Sequence, residues 1–244
     1  MVNCVTTKLA ELNLEDRFLF DETMENKEAY QAAVSMDLQK TVYHTEMQKK
    51  DTGNLKKRSR YYQAQMDVSL LEPGSVDFNL LNDSCFILIA PFDLFGRGLY
   101  RYTFEGVCRE CPDLRLEDGA VKIFINTQGT NKEEFSQEFL DFMEYITAST
   151  DAVAKRSASR RIKLIHEYVR KIKASEKMGV KYMQLWEEKA LIREEGRSEG
   201  IKEGRAEILV KSVEAMKNFG IDLQKACEGI GTTVEEYYRA KEGR

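Results

Sequence analysis

No run of apolar residues in this chain is long enough to cross a bilayer. The longest, Cys85 to Pro91, falls far short of the roughly 20 residues that a helical span requires. The N-terminus also lacks the apolar core of a secretion signal, so the protein is expected to be cytoplasmic, with no membrane partner. A cationic excess is missing too: the formal net charge is −4. A uniformly basic nucleic-acid coat is thereby excluded, and contact with DNA must come from local patches. Histidine is scarce, with two copies among 244 residues. Cys108 and Cys111 form a CxxC, but Cys4, Cys85 and Cys227 are scattered. A zinc site normally needs a second pair, so reduced structural thiols are favoured over zinc. His44 and His166 read as structural or solvated rather than catalytic. There is no GxxxxGK phosphate loop, no GxSxG elbow and no HExxH helix, and Gly96-Arg97-Gly98 reads as a hairpin loop.

What is present is a hydrophobic fraction of 42%, enough for a substantial core. Leu9 to Val34 has apolar residues near helical spacing, with a loop expected around Asn13. Val42, His44 and Glu46 alternate with Tyr43, Thr45 and Met47, which is the period of a strand and places Glu46 and Gln48 on one face. Directly after come Lys49, Lys50, Lys56, Lys57, Arg58 and Arg60 against the single acid Asp51, then Tyr61, Tyr62 and a helical run to Leu71 that stops before Pro73-Gly74. A carboxylate thus precedes a helix that attracts phosphate. Further strands are expected at Cys85 to Ala90, Tyr100 to Val107 and Val121 to Asn126, with turns at Gly96/Gly98 and Asp118-Gly119. Glu133 to Thr147 reads as a helix with Phe135, Phe139, Phe142 and Met143 on its apolar side. That order predicts an α/β fold with a mixed sheet flanked by helices.

The strand VYHTEMQ (Val42 to Gln48), the helix KRSRYYQAQMD (Lys57 to Asp67), FILIAPFDLFGRGLYRYTFEGVC (Phe86 to Cys108) and KIFINTQGT (Lys122 to Thr130) together resemble the Rpn (recombination-promoting nuclease) family, the PD-(D/E)XK nuclease family transposases. The opening LNLEDRFLFDETM and the later EEGRSEGIKEGRAE fit the same pattern. The resemblance implies a restriction-endonuclease-like domain over residues 1–150, a cytoplasmic DNA endonuclease that hydrolyses phosphodiester bonds, and a role in recombination of mobile DNA. It implies a Mg2+ or Mn2+ cofactor held by Glu46, by a second acid and by the Met47 carbonyl. Gln48 takes the place usually held by lysine, able to orient a water by hydrogen bonds but carrying no positive charge. Lys56, Lys57, Arg58, Arg60 and Tyr61 are the implied DNA contacts. Glu46 has a plainer alternative, a rim carboxylate paired with Lys56 or Arg58. Of Tyr61 and Tyr62, one is expected to pack on the sheet and the other to stack on DNA.

The second acid departs from the family's pattern. Counting back from Glu46 by the family's usual interval reaches Ala32, which has no carboxylate. The nearest acid is Asp37, and pairing it across strands with Glu46 would force a turn onto Lys40 to Tyr43, which has no Gly, Asn or Asp. The first catalytic strand therefore reads as missing or shortened, with Asp37, or Glu25 or Glu28 from the first helix, as substitutes. A degenerate relative that binds DNA or self-associates without cutting is the alternative.

Beyond Asp151 the pattern is helical. Residues 151–195 include a basic amphipathic helix in which Ile162, Ile165, Val169 and Ile172 recur three to four apart. It is either a second phosphate contact or a helix packed on the core with its charges in water. Trp186 reads as a packing anchor. Residues 196–244 begin with Gly196, Gly200 and Gly204, each preceded by glutamate. Each glycine costs about 1 kcal/mol of helix stability relative to alanine. The stripe is either a homodimer contact or a charged connector. Ile208 to Tyr238 reads as a small helical end module.

Overall fold

The computed structural model describes residues 9–34, 41–71, 74 and 77–242. Two compact units divide the chain at Val180/Lys181.

In the first unit, the opening helical stretch is broken around Asn13, and Asp16 then caps α1 (Arg17–Met24) by accepting from the Phe18 amide. The Asn26 side chain accepts from Glu28 N and Ala29 N and starts α2 (Lys27–Val34). Strand β1 (Thr41–Met47) leads into α3 (Leu55–Leu70), and β2 (Asp83–Ala90), β3 (Arg101–Phe104) and β4 (Ala120–Asn126) complete a sheet of order β1-β2-β4-β3. The first three in that order run parallel, and β3 pairs antiparallel with β4. The strand expected over Tyr100 to Val107 is shorter than its hydrophobic pattern. It ends at Phe104, and Val107 makes only an isolated bridge to Arg115.

Strand alternation divides the core in two. Cys85, Ile87 and Ile89 of β2 point to one face, where they meet Leu19 and Phe20 of α1, Met143 and Ile146 of α4 (Gln137–Thr147), Ala154 of α5 (Asp151–Arg156), and Ile162, Ile165 and Val169 of α6 (Arg160–Ala174). Phe86, Leu88 and Ala90 point to the other face, against Leu55, Tyr62 and Met66 of α3. A strand covered on both faces and flanked by parallel neighbours should be an unbroken apolar run, and CFILIA is one. The basic helix α6 thus packs its apolar stripe into this core. His166 on α6 joins the Tyr145 hydroxyl (2.8 Å) to Asp151 (2.9 Å), a structural role.

Turns obey the backbone. Gly96 and Gly98 adopt positive φ of 68° and 72° in the loop that Asp93 ties together, its carboxylate accepting from Gly98 N, Phe95 N and the Tyr102 hydroxyl. At Gly129 a Cβ would lie 2.5 Å from the Tyr100 backbone nitrogen, so only glycine fits.

In the second unit, residues of the long helix α7 (Glu176–Asn218) pack with α8 (Leu223–Gly229) and α9 (Val234–Glu242) through Val210, Val213, Ala226, Cys227 and Tyr237. Thr233 and Glu236 form a reciprocal capping box at the start of α9. Ile208 (67% exposed), Phe219 (87%) and Ile221 (41%), apolar residues of the expected end module, lie outside this core. Trp186 is 49% exposed, which does not suit a packing anchor. Nothing lies within 4 Å of where Cβ atoms would stand on Gly196, Gly200 and Gly204. Among the described residues, no helix is long and apolar enough to cross a membrane.

Candidate functional site

Glu46 sits one residue before the C-terminal end of β1, the end of parallel strands where α/β sheets place their ligands. It is 4% exposed, so it is buried rather than a rim carboxylate, although the pairing with Arg58 that the plainer alternative named is present. Strand phase turns it, with His44, toward α3, while Tyr43 and Met47 face the opposite core. A buried carboxylate must be compensated. Three groups converge on its Oε1: Arg58 Nη2 at 2.5 Å, Gln48 Nε2 at 2.9 Å and, more loosely, Arg17 Nη1 at 3.7 Å. Its Oε2 is buried and has no hydrogen-bond partner, as is Arg58 Nε.

Helix α3 divides its basic residues between two tasks. Leu55, Ser59, Gln63 and Met66 form its buried face, and Arg58, three residues after Leu55 and four before Tyr62, shares enough of that side to reach Glu46. Lys56, Lys57, Arg60 and Tyr61 point outward. Tyr61 is 60% exposed, whereas Tyr62 packs on His44 with ring centroids 4.9 Å apart. His44 also stacks on Phe86 at 5.6 Å. Burial holds the His44 imidazole below its ordinary pKa, so it is neutral near pH 7; the Glu46 charge pulls it partly back up. The Gln48 amide is buried and committed to Glu46, and its backbone N–H donates to Ile89 O at 3.0 Å.

Sequence reasoning missed Arg17 and Asp21. Both lie on α1, which reaches the open side of β1, where among the described residues no strand pairs. Arg17 donates from Nε to Asp21 Oδ2 at 3.3 Å while its Nη1 lies near Glu46. The Asp21 carboxyl is held above the usual range by burial, lowered in part by Arg17, with the Glu46 charge also raising it. The i, i+4 spacing of Arg17 and Asp21 was legible as a helix pair. Their approach to Glu46 was not, because it depends on how α1 crosses the sheet.

Of the other expected acids, Glu25 and Glu28 are placed elsewhere. Asp37 lies outside the described residues. Glu28 accepts from the Tyr168 hydroxyl at 2.8 Å, and Glu25 is an exposed residue at the end of α1. Among the described residues, no cluster of three or more His, Cys, Asp or Glu side chains is arranged to hold a metal. Cys108 and Cys111 are free, their thiols directed to Glu110 and Asp113. A cavity of about 300 Å³ at the opposite end of the strands is lined by Asp83, Glu105, Arg115, Glu117 and Asp118, remote from Glu46 in strand register. No protein family profile, curated protein or solved structure matches the chain.

Proposed function

We propose that this protein is a DNA-acting member of the Rpn nuclease class, with a restriction-endonuclease-like sheet, in which Glu46 is the acid of a metal-dependent phosphodiester hydrolase. The observation that supports this reading is the buried Glu46 carboxylate, whose Oε2 has no partner, at the C-terminal end of β1 and beside the outward cations of α3. A buried carboxylate oxygen with no protein partner costs roughly 1–3 kcal/mol or more unless a water or an ion meets it.

That oxygen suits a hard divalent cation. Mg2+ keeps several waters and is commonly held by one or two carboxylates completed by substrate phosphates. Glu46 and the Met47 carbonyl are the groups that would hold it here. Bound there, the ion would acidify a water and neutralise charge on the phosphate. The chain's own residues supply the rest. Lys56, Lys57 and Arg60 attract the DNA backbone, the exposed Tyr61 ring offers a face for a base, and Gln48 fixes the Glu46 rotamer.

Nicking of supercoiled plasmid tests this, with Mg2+ or Mn2+, a chelator control and Glu46→Gln. Cleavage that needs both the ion and Glu46 is expected. Metal-dependent cleavage that persists in Glu46→Gln would overturn the role of Glu46.

A second reading has its own observation. Arg58 already neutralises Glu46 at 2.5 Å, as suits a relative that binds DNA without cutting it. It would show salt-dependent mobility shifts without nicking, and Lys57→Ala would lower the slope of log affinity against log salt by about 1.

A further inference from the structure

The sheet has a second open edge, opposite β1. Strand β3 pairs with β4, and among the described residues no other strand pairs with it. The ladder decides which of its backbone groups face outward. Asn126 N donates to Tyr100 O at 2.9 Å and Leu116 N donates to Gly106 O at 3.0 Å, so the even-numbered residues of this segment bond inward. Because an antiparallel strand alternates, the N–H and C=O of Arg101, Thr103 and Glu105 point to the open side. This edge carries no proline or lysine of the kind that blunts sheet edges, and it leaves Phe104 44% and Val107 51% exposed.

The segment Arg101-Tyr102-Thr103-Phe104-Glu105 is complementary to itself when two copies run antiparallel about Thr103. Thr103 then exchanges both backbone bonds with its counterpart, Arg101 stands opposite Glu105 of the second copy, twice by symmetry, and Tyr102 stands opposite Phe104. Centring the axis on Tyr102 or Phe104 would instead set Arg101 against Thr103 or Val107 and leave the charges unmatched. Hydrogen-bond phase and charge therefore select the same register. Arg101 is available for it: its guanidinium lies over the Phe135 ring at 5.5 Å, and among the described residues no carboxylate pairs with it. Glu105 gives Oε2 to Arg115 at 2.7 Å in an exposed contact, which leaves Oε1 for a second donor. Phe104, which meets Phe95 and Phe124 on its inner side, gains a cover on its exposed one. We propose that a second copy of this chain adds to β3 in this register, making a two-fold dimer with one sheet running through both copies. The sheet order puts β1 at the far edge of each half and the antiparallel join turns the two Glu46 carboxylates to opposite ends. The dimer is thus independent of the role proposed for Glu46.

An interface built on one short strand is small, so the dissociation constant is expected at about 10–100 µM. Sedimentation equilibrium of the full chain at concentrations spanning that range reads it, and a parent that stays monomeric throughout would overturn the proposal. Arg101→Glu and Glu105→Arg each set like charges opposite one another at two symmetric positions and should weaken association about tenfold or more. Mixed in equal amounts, the two variants restore opposite charges at both positions, and dimers should return with about the parent's affinity. Association of either variant equal to the parent's, as a contact through the Gly196 to Gly204 stripe would give, would overturn the proposal. So would a mixture that associates as weakly as its components. Should either variant lose the parent's circular dichroism, Thr103→Pro carries the test. It removes an outward N–H that the β4 ladder does not use, so the strand stays paired while association falls, and parental association in that variant would refute the register.

Discussion

Replacing Arg58 by methionine leaves the Glu46 carboxylate buried with Gln48 and a loose Arg17 as its remaining partners. Breaking a buried ion pair by removing one side typically costs about 3–5 kcal/mol. Arg58 keeps 22% of its side chain exposed, which moves the expectation to the lower end, about 3 kcal/mol. Methionine preserves much of the aliphatic stem, so lost packing contributes little. For a chain of this size each kcal/mol shifts the melting temperature by about 2–4 °C, so a fall of about 6–12 °C is expected. The assay is differential scanning calorimetry in the presence of a chelator, so that no divalent ion substitutes for the guanidinium. Glu46→Gln combined with Arg58→Met should recover most of the loss, because the double variant buries a neutral amide in place of a charge, with a coupling of about 1–3 kcal/mol. Mn2+ added to the single variant should restore part of the stability by binding the native state. A single variant melting within about 2 °C of the parent would refute the account of Glu46 as a compensated buried charge. So would a double variant less stable than Arg58→Met alone.

Asp93 gives the clearest acid-sensitive contribution. Burial alone would raise its carboxyl, but the Tyr102 hydroxyl and the amides of Gly98, Phe95 and Gly96 outweigh it and bring it down to about 2. Since the folded value lies below the unfolded one of about 3.9, the stabilisation is present above pH ~4 and disappears as pH falls toward 2. Asp93→Asn should therefore lose about 1–2 kcal/mol at neutral pH and flatten the acid limb of chemical denaturation curves; an unchanged acid limb would contradict this. Gly129→Ala forces a methyl onto the Tyr100 backbone and should cost about 1–3 kcal/mol by overpacking, and a midpoint equal to the parent's would show that the loop is free to shift.

The parts legible in the sequence are those governed by local periodicity. CFILIA announced an apolar strand, and the alternation from Val42 to Met47 placed His44 and Glu46 on one face because a strand permits only two. That one of Tyr61 and Tyr62 packs on the sheet was expected from the sequence; which one does was decided only by the structure, where Tyr62 packs on His44 and Tyr61 is exposed. Arg58 was harder. It stands in a basic run and reads there as a phosphate contact, yet its offset from Leu55 and Tyr62 already put it near the buried side. Arg17 and Asp21 carried no such mark toward Glu46, since no period in the chain encodes how α1 passes the open side of β1. The end module shows the converse failure. Phe219 and Ile221 are apolar at plausible positions, but Gly220 takes a φ of 81° and ends α7, turning both away from the core that Val213 and Tyr237 form.

The chain has a single tryptophan, and it lies beyond Val180, on the α7 portion of the second unit. Its indole emission is therefore a label for that unit, placed there by the sequence itself. Denaturation followed at tryptophan wavelengths reports on the surroundings of Trp186, whereas the rings on the Glu46 face of β1 are Tyr62 and Phe86, packed on His44. An unfolding curve from emission that disagrees with one from heat capacity would consequently mark two separately melting bodies, and the interval between the two curves would measure how far the sheet and the end module depend on each other.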